Sequence, residues 1–314
     1  ATSLYDAYFE LFGILFNLAQ WYSKHAAKVA AGNQVTVEEA VDVHKSLRYA
    51  AGVYTYLRDN VAPKINVPVP KGSDLDRDVL DAYIKQCLVE AQEVAIARAI
   101  EAKHDPGLIA ALACETSIAY EKCKYSLNGI PEDLISSWRA YFNFKACCYR
   151  AYAYCFHSEH QLNQDQGGIA VAAAQEALKH CENARRAARA YASGSGAEVA
   201  FFRKLQPFAS RTLSKAQTEN SMIYHQPVPS SLAELKLKAT FGIATPEMPA
   251  LVFTHDEEWK EAVNGFDVTK MLDFLSRKDA SRKKKEAAKL HVIKEQPIYH
   301  GVRDPGNASG CVIS

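Results

Sequence analysis

From about Ser3 to Asn220 the chain repeats apolar residues at three- and four-residue spacing, in long blocks parted by short runs of glycine, proline and asparagine. That period belongs to the α-helix, and the two-residue alternation of a strand is nearly absent. A chain built this way buries its surface by pairing successive helices back to back. The expected fold is all-α: an elongated solenoid of helical hairpins, related to the tetratricopeptide class without its strict 34-residue signature.

The punctuation supports this order. Ser3 to about Ala31 is apolar on nearly every side, which predicts a buried helix stopped by Gly32-Asn33. Thr36 and Glu39 form a capping box opening a second helix to about Asn60. A loop rich in proline and glycine, Pro63 to Gly72, precedes a third helix opened by Ser73-x-x-Asp76. Asp105-Pro106 reads as N-cap and first helical residue of a fourth, which Asn128-Gly129 ends. Pro131-Glu132-Asp133 starts a long fifth helix and Gly167-Gly168 breaks the chain again. Helix is expected from Ile169 to Tyr191 and from Ala197 to about Asn220, the latter with a kink or restart at Pro207.

After Ile223 the pattern changes. Pro227, Pro229, Pro246 and Pro249 bracket a stretch too apolar for a free linker, so it is expected to lie extended along the helices, with a short helix at Leu232–Lys238. Three regions follow: a helical domain over 1–255, short helices with a basic run over 256–294, and a flexible tail over 295–314. Between Arg277 and Lys294 eight basic side chains face two acidic ones, with Arg282, Lys283, Lys284 and Lys285 in succession. The run reads either as a solvated helix face or as a contact for an anionic membrane surface.

The last four residues, Cys311-Val312-Ile313-Ser314, form a C-a-a-X box, and the terminal serine points to a farnesyl group placed on Cys311 by a prenyl transferase. The small, polar stretch Asp304–Gly310 leaves that box accessible. The expectation is a cytoplasmic protein held peripherally on a membrane, endosomal or nuclear-envelope, by its lipid, with no other cofactor. With 37 basic and 36 acidic residues the chain lacks the positive excess of a nucleic-acid binder. Its eight cysteines lack disulfide or zinc spacing and read as buried thiols. The longest apolar run, Leu11 to Tyr22, is too short to span a bilayer. Cys155, His157 and His160 could hold a metal or a thiol nucleophile, but no further ligands follow at zinc spacing. An end-of-helix polar cluster is the plainer reading, no metal site or catalytic residue is assigned, and the chain is not expected to be an enzyme.

Several stretches resemble the Bro-domain family, boomerang-shaped helical scaffolds of ESCRT-associated proteins. They are Phe16-Asn17-Leu18-Ala19-Gln20, Ala91-Gln92-Glu93-Val94, Gly168-Ile169-Ala170, and Ile223-Tyr224-His225 followed by Val228-Pro229. With the lipid box, the likeness is greatest to members that join a Bro domain to a prenylation signal, and roughly the first quarter of the domain is expected to be missing. The resemblance implies an adaptor whose hydrophobic groove receives the C-terminal amphipathic helix of a CHMP-type ESCRT-III subunit. Groove positions carry over to Leu108 and Leu112, with Ala95 where a large aromatic is expected and Ile96 beside it. The polar rim of the family falls at Val37 and Val41, a departure. Tyr224 reads as a half-buried turn tyrosine, with a phosphorylation site as the alternative that the resemblance implies. Spacing alone favours reading Leu108 and Leu112 as core, and only the resemblance makes them a groove; a lipid-anchored helical-repeat scaffold with unrelated clients remains an alternative.

Overall fold

The computed structural model describes residues 6–32, 35–191, 200–239 and 242–250, with no side-chain description for 191 and 200–203. Seven α-helices follow in order: α1 (Ala7–Ala30), α2 (Val37–Tyr56), α3 (Arg77–Glu101), α4 (Pro106–Ser126), α5 (Glu132–Asn163), α6 (Gly167–Tyr191) and α7 (Ala200–Glu219). Among the described residues there is no strand. Each helix packs on the next in the chain, and α5 also meets α7. The all-α hairpin architecture is therefore as the periodicity requires.

The helix starts obey local chemistry. The Asp6 carboxylate accepts the amide of Tyr8 at 2.7 Å, capping α1. At α2 the Thr36 amide donates to Glu39 Oε2 at 2.8 Å and the Glu39 amide to Thr36 Oγ1 at 3.2 Å, the reciprocal box read from the sequence. Asp105 caps α4 through the Gly107 amide at 2.8 Å, with Pro106 in the first turn. At α3 the cap is Asp76, which accepts the amides of Asp78 and Gly72; Ser73 belongs to the preceding turn, its hydroxyl donating to the Pro70 carbonyl at 2.8 Å.

The largest fully buried side chains include Tyr54, Tyr120, Phe142 and Phe144. Each contributes roughly 1.5–3 kcal/mol by leaving water. Between α3, α4 and α5 the core also holds charge. Lys145 Nζ lies 2.9 Å from Glu93 Oε2, and the Tyr120 hydroxyl donates to the same carboxylate. Tyr141 and Gln86 each donate to Glu90 Oε1 at 2.8 Å, and Trp138 Nε1 donates to Gln86 at 2.6 Å. Only paired, hydrogen-bonded charges are tolerable at such depth.

Four local expectations change. The first helix is not buried all round: Leu11, Ile14 and Trp21 stand exposed, because among the described residues α1 is covered from one side, by α2, the turn after it and side chains of α3 such as Tyr83 against Phe16. Gly167 and Gly168 begin α6 rather than interrupt the chain. They are glycines because a Cβ on Gly167 would strike Asn220 Oδ1, at 2.6 Å, and one on Gly168 the Pro227 carbonyl. The helix α7 carries Pro207 inside its span without a restart, and residues 197–199 lie outside the described residues. No helix forms at Leu232–Lys238, where main-chain groups of the extended segment bond side chains of α4 and α5 instead.

Candidate functional site: the strapped face of α2, α3 and α4

The turn out of α7 is held by its own side chains. Asn220 Nδ2 donates to the Gln226 carbonyl at 3.0 Å, and Gln226 Nε2 to the Asp165 carbonyl at 2.7 Å. His225 takes a left-handed backbone at φ 50°, reversing the chain. Tyr224 is half-buried there, its hydroxyl donating to the Leu162 carbonyl at 3.4 Å. From here an extended strap returns across the helices.

At its middle, Leu235 is buried and gripped three ways. Arg150 Nη1 donates to its carbonyl at 3.3 Å, the Cys114 thiol to the same carbonyl at 3.2 Å, and its amide donates to the Tyr154 hydroxyl at 3.3 Å. At its end the strap crosses α2. Arg48 Nε donates to the Thr245 carbonyl at 3.0 Å, the Glu247 amide to the Arg48 carbonyl at 3.1 Å, and Arg48 Nη1 pairs with Glu247 at 3.0 Å. Burial, with the adjacent Arg48 charge, holds the His44 pKa below its usual value, so that ring is neutral near pH 7.

Helical spacing places Val37, Val41, Arg48 and Gly52 along one stripe of α2. The strap covers the last two. The valines beyond it are open, Val37 49% and Val41 62% exposed. Because consecutive helices are antiparallel, the start of α2, the end of α3 and the start of α4 share one end of the row. There Ala95 and Leu108 are half-buried, with Leu108 packed on the core, whereas Ile96 (3% exposed) and Leu112 (8%) are core side chains. Of the four positions expected to line a groove, Ala95 and Leu108 thus retain surface. Ile96 and Leu112 can only support it from beneath, since α4 is sandwiched between α3 and α5.

Sequence reasoning missed Arg48, Gly52, Arg150 and Tyr154 as strap anchors. Nothing local marks them; the one available signal was the apolar, proline-bracketed stretch they hold.

Cys155 is buried and its thiol is pushed well above its usual value by desolvation, then by Cys181 and Glu159. A nucleophilic cysteine needs the reverse shift. His157 is lowered by burial and then by His160, and His160 Nδ1 lies 3.6 Å from Asp105. Among the described residues no group of three or more His, Cys, Asp or Glu is arranged to hold a metal, and no helix is long and apolar enough to cross a membrane. An open depression of about 460 Å³ beside α6 and α7, lined by Val171, Gln175, Gln217 and Asn220 among others, presents no charged side chain. Arg282, Lys283, Lys284, Lys285 and the box Cys311–Ser314 lie outside the described residues.

The chain matches known proteins in sequence and fold. The chain is 44% identical over 276 residues to "BRO1 domain-containing protein BROX" of Xenopus tropicalis and 42% over 273 residues to that of Homo sapiens, covering 84% of this chain and 66% of each relative. It is 36% identical to the BROX homolog of Caenorhabditis elegans, over 100% of this chain and 74% of that protein. The solved structure described as "ALIX BRO1 CHMP4C complex" superposes with a TM-score of 0.66 at 20% identity, covering 80% of this chain and 66% of that one. The chain thus spans 66% of the length of these vertebrate relatives. Residues 1–267 match the family described as "BRO1-like domain", and the chain belongs to it.

Proposed function

We propose that this chain is a non-enzymatic adaptor that binds the C-terminal amphipathic helix of a CHMP-type ESCRT-III subunit and is tethered to a membrane by a farnesyl group on Cys311. The observation that carries the docking half is the uncovered end of the α2–α3–α4 face. Leu108 keeps surface there above a core that includes Ile96 and Leu112, in a chain of the BRO1-like family. A related domain, that of ALIX, has been solved with CHMP4C. An amphipathic helix buries its apolar stripe on such a face, and one buried leucine contributes about 1.5–3 kcal/mol, enough to dominate a weak, reversible complex. A single prenyl chain gives marginal membrane binding, and the basic run Arg282–Lys285 supplies the second attraction.

Titration of the full chain with a CHMP4-type C-terminal peptide tests the docking half: Leu108→Asp should weaken binding at least tenfold, and unchanged affinity would refute it. The tether is tested by cell fractionation, in which Cys311→Ser should move the protein from membranes to the soluble fraction.

A further inference from the structure

Charge is not spread evenly along this chain. Residues 179–218 hold eight basic side chains and two acidic ones, whereas residues 1–178 hold sixteen and twenty-one. Apart from the run after Arg277, the positive excess of a nearly neutral molecule therefore falls on α6 and α7. These helices pack on each other, and Arg185 donates to Gln206, so the second half of α6 lies against the first half of α7. Lys204, Arg211 and Lys215 follow at i, i+7 and i+11, one stripe of α7, and all three are exposed. No acidic residue falls between Ala200 and Thr218. On α6, Lys179, Arg186 and Arg189 are exposed at i, i+7 and i+10. Glu176 pairs with Lys179 at 2.5 Å, Glu182 with Arg185 at 3.7 Å and Glu219 with Lys215 at 3.9 Å. Arg189, Lys204 and Arg211 make no ion pair among the described residues, so their charge reaches solvent uncompensated. Each stripe runs about 15 Å along its helix. Charge spread over that length suits a sheet of headgroups better than a pocket closing on one phosphate. The same sheet repels the acidic excess of residues 1–178, which leaves α6 and α7 to approach it first.

We propose that the Lys204–Arg211–Lys215 stripe, with Lys179, Arg186 and Arg189 on the helix packed against it, is a contact for an anionic lipid surface and sets which side of the helical domain faces the membrane. This rests on the tether reading above, which brings the chain to a membrane; a lipid on a tail holds the domain there without orienting it. Each basic side chain near such a surface strengthens binding about fivefold, and three together about a hundredfold.

The test is sedimentation of the full chain, made without its prenyl group, with phosphatidylserine–phosphatidylcholine vesicles and with pure phosphatidylcholine. Wild type should bind the anionic vesicles, ignore the neutral ones and weaken with added salt. Lys204→Glu/Arg211→Glu/Lys215→Glu should bind at least tenfold more weakly yet melt like wild type, since its three side chains are exposed. If it melts early, Lys204→Gln/Arg211→Gln/Lys215→Gln takes its place. Wild-type affinity in the α7 variant, with loss in Arg282→Gln/Lys283→Gln/Lys284→Gln/Lys285→Gln, overturns this inference and leaves the tether reading standing. Failure of wild type to bind anionic vesicles overturns it as well, and binding to poly-glutamate in place of vesicles gives the face to an acidic protein instead. The tether reading is judged apart from all of these, by the fractionation of Cys311→Ser.

Discussion

The α-carbon of Gly52 in α2 rests directly against the main-chain carbonyl of Glu247, nearly two hundred residues further along the chain. That contact, with the Arg48–Glu247 pair beside it, fixes where the strap crosses α2. Residue 52 is therefore small because of what covers it, in a helix whose own stability favours alanine.

Gly52→Val should push the strap off α2. Overpacking of this kind costs about 1–3 kcal/mol, read as a lower midpoint in urea unfolding. Limited proteolysis should cut faster between Gly242 and Ala250. Unaltered cleavage would mean the strap is held without this contact.

Lys145→Met should destabilise strongly, by about 3–5 kcal/mol, because it strands the Glu93 carboxylate in the core without its cation. Adding Glu93→Gln should recover much of that loss, since the pair is coupled. Urea melts of the two single variants and the double variant give the coupling; strict additivity would show the ion pair to be inert.

Glu90 gives a pH signature. Burial, then the charge on Glu93, holds its carboxyl above the ordinary carboxylate range. The native state therefore binds this proton more tightly than the unfolded chain does. The resulting stability is complete below the unfolded value of about 4.3 and drains away as pH rises toward the folded pKa. Glu90→Gln keeps acceptor and shape but cannot ionise, so its stability relative to wild type should increase as pH climbs through that window. Parallel stability–pH curves for the two proteins would contradict the assignment.

Thiol chemistry offers a cheap check of the core. The seven described cysteines are unpaired, and all but Cys147 are buried; burial pushes the Cys87 and Cys123 thiols up to about 12. In a Cys311→Ser background at most one thiol, that of Cys147, should react with Ellman's reagent before unfolding. Rapid reaction of Cys155 would reopen the case for a nucleophile.

Much of this protein follows from short-range order in its chain. Three- and four-residue periodicity set the seven described helices, and the Thr36–Glu39 box, Asp105 and Pro106 set where two of them start, because caps and helical faces depend on neighbours within one turn. The family was legible for the same reason, in motifs that survive as strings. What periodicity could not say is which apolar residue faces what. Leu108 and Leu112 share a stripe, yet one keeps surface and the other is core; Ile14 and Trp21 stand open on a helix that reads as buried. Those differences arise from how many neighbours each helix has. The strap sharpened them further, using Arg48, Gly52 and Arg150 from distant helices to decide which part of each face remains open. Contacts between residues that far apart are set by packing of the whole chain, and no local pattern records them.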